Sequence, residues 1–236
     1  MTPPPVIFCA LDRPDLDGAL ALGRSLADVI GGLKVGLEFV TANGPDGVRR
    51  MVDLGLPVFL DVKFHDIPNT VARAVRVAGA LGVAMLTLHV AGGPAMLLAA
   101  VEAARAREPC PRLIGVTVLT SLDDADLAAL GIPDKVSAHV LRLAELAWDN
   151  GLDGIVCAPH EIALLRSRFN HDFKLVVPGI RPSGSAVGDQ KRAKTPAAAV
   201  TAGADVLVIG RPITEAPDPR AAAGAINAEI AAALAA

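Results

Sequence analysis

The stretch Phe59-Leu60-Asp61-Val62-Lys63-Phe64-His65-Asp66-Ile67-Pro68-Asn69-Thr70 decides how the rest of the chain is read. It opens as a strand, because Pro57-Val-Phe-Leu60 is a short apolar run after a helical segment that stops near Gly55. Charges then arrive at alternating positions. Asp61 and Lys63 are two apart, so a strand points them the same way. Asp66 follows once the strand has ended, and Pro68 prevents continuation as a central strand. An acid, a base and a second acid thus gather at the C-terminal tip of a buried strand. Such groups are rarely buried unless paired. A structural ion pair and a catalytic cluster both meet that condition, so the surrounding chain decides between them.

Strand-like apolar runs recur on both sides with helical segments between them. Upstream lie a strand over 6–11 with Asp12 at its tip, a helix over 15–30, a strand Leu33-Lys-Val-Gly36, and a helix over about 45–54. Downstream, a helix over 71–81 leads to a strand over 83–89, and a helix over 94–107 to a strand over 112–119 that ends in Thr120-Ser121. Helices over 123–130 and 135–150 precede a strand over 154–157, and a helix over 159–168 precedes one over 174–177. Pro178-Gly-Ile-Arg-Pro182 comes next, then a short helix over 195–202, a strand over 205–209 with Gly210-Arg211-Pro212, and an Ala-rich helix over 220–236.

Strands alternating with helices imply parallel βαβ units. Eight of them close a (β/α)8 TIM barrel, here expected as a single domain over 1–236. An open doubly wound sheet would carry a Gly-rich first turn, and Leu11-Asp-Arg-Pro14 is not one. The 236 residues, 52% hydrophobic, suit one such unit of about 200–250 residues. Residues 181–194 are polar and show no apolar periodicity, so an active-site lid is expected at 182–194.

Composition excludes other classes. Net charge is −3, aromatics are 3% and Tyr is absent, so neither a basic face nor a stacking platform for nucleic acid is evident. No apolar run reaches membrane-spanning length, and Met-Thr-Pro-Pro-Pro lacks the basic region of a signal peptide. Cys9, Cys110 and Cys157 are scattered and show no metal spacing, so all three are expected as buried thiols in a reducing compartment.

In a (β/α)8 barrel the strands' C-terminal ends carry the active site. Those tips hold Asp12, Lys34, Asp61, Lys63, His89, Thr120, Ser121, Arg181, Gly210 and Arg211, with Asp66 just beyond the third. A purely structural barrel does not need charges to converge at one end. Gly179-Ile-Arg181 and Gly210-Arg211 follow strands seven and eight, where such barrels often bind phosphate. Glycine lets backbone N–H groups approach an anion, and arginine offers a fork of donors. His89 reads as a packing residue, and the role of His65 stays open.

Taken together, these motifs closely resemble the orotidine 5′-phosphate decarboxylase family in its bacterial form. The likeness runs from Leu11-Asp12 and Leu33-Lys34-Val-Gly through Asp61-x-Lys63-x-x-Asp66, Val116-Thr-Val-Leu-Thr120-Ser121 and Pro178-Gly-Ile-Arg181-Pro to Ile209-Gly-Arg211-Pro-Ile-Thr. The resemblance implies decarboxylation of orotidine 5′-phosphate to UMP in de novo pyrimidine synthesis, with no cofactor and no metal. It implies Lys63 as proton donor to C6 of the ring and Asp61 as the carboxylate beside the departing group. Lys34 and Asp66 complete an alternating charged array, with Asp66 crossing from the partner subunit of a homodimer. Asp12 and Lys34 resemble ribose contacts, and Thr120 and Ser121 pyrimidine contacts. Arg181, Gln190, Gly210 and Arg211 resemble phosphate and lid contacts, and Thr70 a further substrate contact. The resemblance also implies a cytoplasmic enzyme without nucleic-acid or membrane partners.

Two other readings compete. A related sugar-phosphate lyase or decarboxylase working through Mg²⁺ would need an acidic ligand at the tip of strand two, where this chain has Lys34. A non-catalytic phosphate-ligand sensor would not need an intact acid-base-acid cluster.

Overall fold

The computed structural model describes residues 6–182 and 194–235. Among them the strands β1 (Val6–Ala10), β2 (Gly32–Gly36), β3 (Val58–Phe64), β4 (Met85–His89), β5 (Arg112–Val116), β6 (Gly154–Val156), β7 (Lys174–Val177) and β8 (Val206–Ile209) form one closed parallel barrel in chain order. Closure is made by β1 against β8, with Val6 opposite Val206 and Cys9 opposite Ile209. This is the expected (β/α)8 architecture.

The strands are apolar on both faces because both are covered. Inside the ring, Phe8, Phe59, Met85, Ile114, Val176 and Val206 form a compact cluster, with Phe8 and Phe59 edge to face at 6.4 Å between ring centres. The larger core lies between the barrel and its helices. Helix α1 (Leu16–Leu26) starts on an Asp15 cap, whose side chain accepts from the Gly18 amide. It ends four residues before the expected position, the chain to Ile30 being held by turn hydrogen bonds back to Leu26.

Helix α2 (Leu37–Val52) corrects the expected 45–54. Gly44 breaks it at φ +59, and Pro45 opens its second half. Only that half was legible, because a Gly-Pro pair reads as an ordinary helix start. Helix α3 (Pro68–Ala80) begins on Pro68 itself and buries Val71, Val75 and Ala78 along one stripe. Helices α4 (Pro94–Arg105), α5 (Asp124–Ala129), α6 (Val136–Asp149), α7 (Ile162–Arg168) and α8 (Pro196–Thr201) follow near their expected places. A one-turn helix α9 (Arg211–Thr214), not expected, precedes α10 (Pro219–Ala235).

Two further expectations fail. β5 stops at Val116, so Thr120 and Ser121 lie out on the following loop rather than at the strand tip. Cys9 and Cys157 are buried, but Cys110 is exposed. It follows Glu108-Pro109 in the connection from α4 to β5, outside the packed layers. Burial pushes the Cys9 thiol up to about 12 and the Cys157 thiol well above its ordinary value, so both are neutral packing groups.

Candidate active site

The barrel brings the strand-tip charges into one line. Lys34, on β2, is 7% exposed and therefore needs anionic partners. Its Nζ donates to both carboxylate oxygens of Asp12 at 2.8 Å and lies 3.7 Å from Asp61 Oδ2. Lys63 Nζ donates to Asp61 Oδ1 at 2.9 Å. The order is thus Asp12, Lys34, Asp61, Lys63, alternating in sign across β1, β2 and β3. Gly36 makes room for it, since a Cβ there would come within 2.7 Å of Asp12 Oδ1 and 3.0 Å of Lys34 Nζ.

Lys63 does not reach this position along a regular strand. Its φ is +54, in the left-handed region, which costs a non-glycine residue roughly 1–2 kcal/mol. The β3–β4 register shifts between Leu60 and Phe64, around this residue. Asp61 and Lys63 therefore meet through a bulge rather than through simple alternation. Thr87, fully buried on β4, sits beneath the pair. Its Oγ1 accepts from the Lys63 amide at 2.9 Å and lies 3.1 Å from Asp61 Oδ1. Sequence reasoning missed Thr87. The signal was a lone hydroxyl within the apolar run Met85-Leu-Thr-Leu88.

Two chambers meet at the array. The larger, about 660 Å³, is polar and includes Asp12, Arg13, Lys34, Asp61, Gly179, Arg181, Gly210 and Arg211. The smaller, about 180 Å³, has Lys34, Asp61 and Lys63 on one side and Phe59, Val116, Val118, Val156, Val176 and Thr120 around the rest. Both Gly–Arg tips thus face the large chamber. Gly179 turns there at φ +75, a conformation glycine adopts without steric cost. The Arg181 amide donates to the Lys194 carbonyl at 3.0 Å, tying together the two ends of the segment between them.

Other expected site residues are elsewhere. Thr120 borders the small chamber, but Ser121 is exposed beyond it. Asp66 is exposed, and its Oδ1 accepts from the Ile67 amide. Thr70 is exposed on the first turn of α3. Gln190 and most of the expected lid, 183–193, lie outside the described residues. His89 stacks on His65 with ring centres 5.2 Å apart. Burial, with His65 and Lys63 adjacent, holds the His89 imidazole below its ordinary value.

The closed barrel, with its charged array at the C-terminal end of the strands, belongs to the (β/α)8 class, whose enzymes carry their active sites at that end. Comparison with known proteins narrows the class. Residues 5–226 match the family described as "Orotidine 5'-phosphate decarboxylase / HUMPS family". The orotidine 5′-phosphate decarboxylase of Anaeromyxobacter sp. (strain K) is 54% identical over 228 residues, covering 97% of this chain and 99% of that protein. That of Paramagnetospirillum magneticum is 51% identical over 229 residues, covering 95% and 97%. The crystal structure of the Lactobacillus acidophilus orotidine 5′-phosphate decarboxylase superposes with a TM-score of 0.82 at 34% identity, covering 97% of this chain and 99% of that one. The chain belongs to the orotidine 5′-phosphate decarboxylase / HUMPS family.

Proposed function

We propose that this protein decarboxylates orotidine 5′-phosphate to UMP in pyrimidine biosynthesis. The observation that carries this reading is Lys34, a buried ammonium at the β2 tip between Asp12 and Asp61. It occupies the place where a Mg²⁺-dependent lyase of similar design would need a carboxylate, and its charge opposes a cation there. The two chambers suit a nucleotide, with the phosphate toward Arg181 and Arg211 and the ring in the smaller, less polar one.

In this reading Lys63 delivers a proton to C6 as CO₂ leaves. Loss of CO₂ leaves an electron pair on a ring carbon without an adjacent carbonyl, so a nearby cation must stabilise it. Lys63 supplies both the charge and the proton. Asp61 faces the departing carboxylate and repels it. Two unit charges at about 4 Å and an effective dielectric near 20 interact by ~4 kcal/mol, which is at most about a thousandfold in rate. Lys34 and Lys63 both flank Asp61 and offset part of that repulsion. The remainder is assigned to carbanion stabilisation and to phosphate binding energy expressed through closure of the 182–194 segment, with Gln190 on it.

We assign Asp66 to the site of a partner subunit in a homodimer, with Thr70 beside it. Both are exposed and line neither chamber, and Ile67 between them is 67% exposed, an apolar side chain suited to burial at an interface. Leu37, the first residue of α2, is likewise 59% exposed. We expect the enzyme in the cytoplasm, as the family resemblance implies; among the described residues no helix is long and apolar enough to cross a membrane.

The deciding assay follows orotidylate absorbance with purified protein in excess chelator. Turnover to UMP is expected. Activity that returns only with added Mg²⁺ favours the lyase, and tight binding without turnover favours the sensor.

A further inference from the structure

We propose that Thr87 is a positioning residue for the reacting pair, fixing both Asp61 and the Lys63 backbone through one hydroxyl. The inference rests on the decarboxylase reading above.

A hydroxyl has one proton to give. Lys63 N–H can only donate, so Thr87 Oγ1 accepts from it at 2.9 Å. The hydroxyl proton is then free for the other neighbour, Asp61 Oδ1 at 3.1 Å, which accepts it. Asp61 Oδ1 thus receives two donors, Thr87 Oγ1 and Lys63 Nζ, and is fixed as the carboxylate oxygen between them. The amide bond matters for a separate reason. Lys63 sits at φ +54, where the β3–β4 register breaks. Thr87 Oγ1 gives its N–H an acceptor there and so stabilises the bulge that aims the side chain. A purely structural position between Leu86 and Leu88, both fully buried, would be filled equally well by valine.

Thr87→Val keeps the branched shape and removes the hydroxyl, whereas Thr87→Ser keeps the hydroxyl. For Thr87→Val, kcat on orotidine 5′-phosphate is expected to fall roughly 10- to 100-fold. Its UMP affinity should stay within about threefold of wild type, the split that marks a lost transition-state interaction. Thr87→Ser should recover most of the rate. Hydrogen exchange at the Lys63 amide of the unliganded protein should accelerate in Thr87→Val and stay slow in Thr87→Ser. The proposal is overturned by a near-native kcat in Thr87→Val, by serine failing to rescue, or by UMP affinity dropping in step with kcat. Unchanged Lys63 amide exchange in Thr87→Val overturns it independently of turnover. Wild-type protein that leaves orotidine 5′-phosphate intact would sink the decarboxylase reading, and the exchange result would still decide whether Thr87 holds Lys63. Should Thr87→Val not fold, Thr87→Cys, with its weak donor, is compared with Thr87→Ser in the same measurements.

Discussion

Asp61 and Asp205 sit at opposite ends of the barrel, and each lies between two basic side chains. Asp61, at the C-terminal end, meets Lys34 and Lys63. Asp205, just before β8 at the N-terminal end, meets Arg166 and the His171 imidazole. Asp205 also accepts from the Leu175 amide at 2.8 Å. Arg166 is used at every nitrogen, donating to Asp205 and to the carbonyls of Gly203, Phe169, Asn170 and Phe173. That cluster engages all three guanidinium nitrogens and ties the loops before β7 and β8 together. At the other end the basic groups are lysines with fewer partners, and they border open chambers. Lys63 Nζ has three protons and gives one to Asp61, so it keeps donors for a ligand, while Arg166 is engaged at each of its nitrogens. A buried carboxylate between basic side chains therefore says little by itself. What separates function from scaffolding is whether hydrogen-bonding capacity remains and whether space adjoins it.

Removing Lys63 should have the largest effect. Lys63→Ala is expected to lower turnover on the order of 10⁴-fold with little change in melting temperature. Asp66→Ala should also be inactive, and mixing the two proteins with subunit exchange should restore activity, because a hybrid dimer contains one intact site. Verified heterodimers with no recovery would remove the shared-site assignment.

Asp61→Asn should reduce the single-turnover rate by up to roughly a thousandfold. If Asp61 repels the substrate carboxylate, the Kd for orotidine 5′-phosphate should stay level or tighten relative to that for UMP, which lacks the carboxylate. Weaker substrate binding with UMP binding unchanged would rule out repulsion.

At the opposite end the signature should invert. Arg166 and Asp205 side chains are 13% and 10% exposed, so Arg166→Met strands a buried carboxylate. Unfolding free energy should drop by ~3 kcal/mol, a melting shift of roughly 6–12 °C, with kcat per folded molecule unchanged. A normal melting temperature with lost turnover would collapse the contrast between the two ends.

The smallest effect concerns His89. Its folded value lies below the ordinary 6.5, chiefly because the ring is desolvated. Below pH 6.5 the unfolded chain then binds more protons than the folded one. This contribution to stability is complete above that pH and is lost as pH falls through the folded value. Denaturant titrations from neutral to mildly acidic pH should show a slightly shallower decline for His89→Gln than for wild type. An identical decline would mean the His65–His89 stack does not couple to folding.

The strands and their tips were legible because both rest on local rules. Apolar runs give the barrel, and charges set within or just past a run give the array. Asp12, Lys34, Asp61 and Lys63 were all found in that way. Thr87 was not, because its importance comes from a bulge in the neighbouring strand that no spacing rule encodes. Residues 37–43 were missed as helix because Gly44 breaks the helix and Pro45 mimics its beginning. Thr120 and Ser121 were placed at a strand tip because the apolar run Val116-Thr-Val-Leu119 outlasts the hydrogen-bonded ladder. Cys110 was read as buried from its neighbours, although the connection carrying it lies outside the packed layers. Asp66 and Thr70 were placed in the site by resemblance, and in a single chain both are exposed and line neither chamber.

Barrel closure bears on how this molecule is made. β1 and β8 are partners about 200 residues apart, and joining such distant segments carries a loop-closure entropy that local helices avoid. Gly210 ends one side of that seam and Ala10 the other, where a Cβ on Gly210 would touch the Ala10 methyl at 3.4 Å. Asp12 and Arg211 lie just past it, both lining the large chamber. A ribosome-bound chain therefore has no complete large chamber until β8 has emerged and docked. Thereafter, any ligand spanning Asp12 and Arg211 acts as a clasp on the seam. Saturating UMP should consequently delay separation of β1 from β8 more than it delays the fraying of peripheral helices.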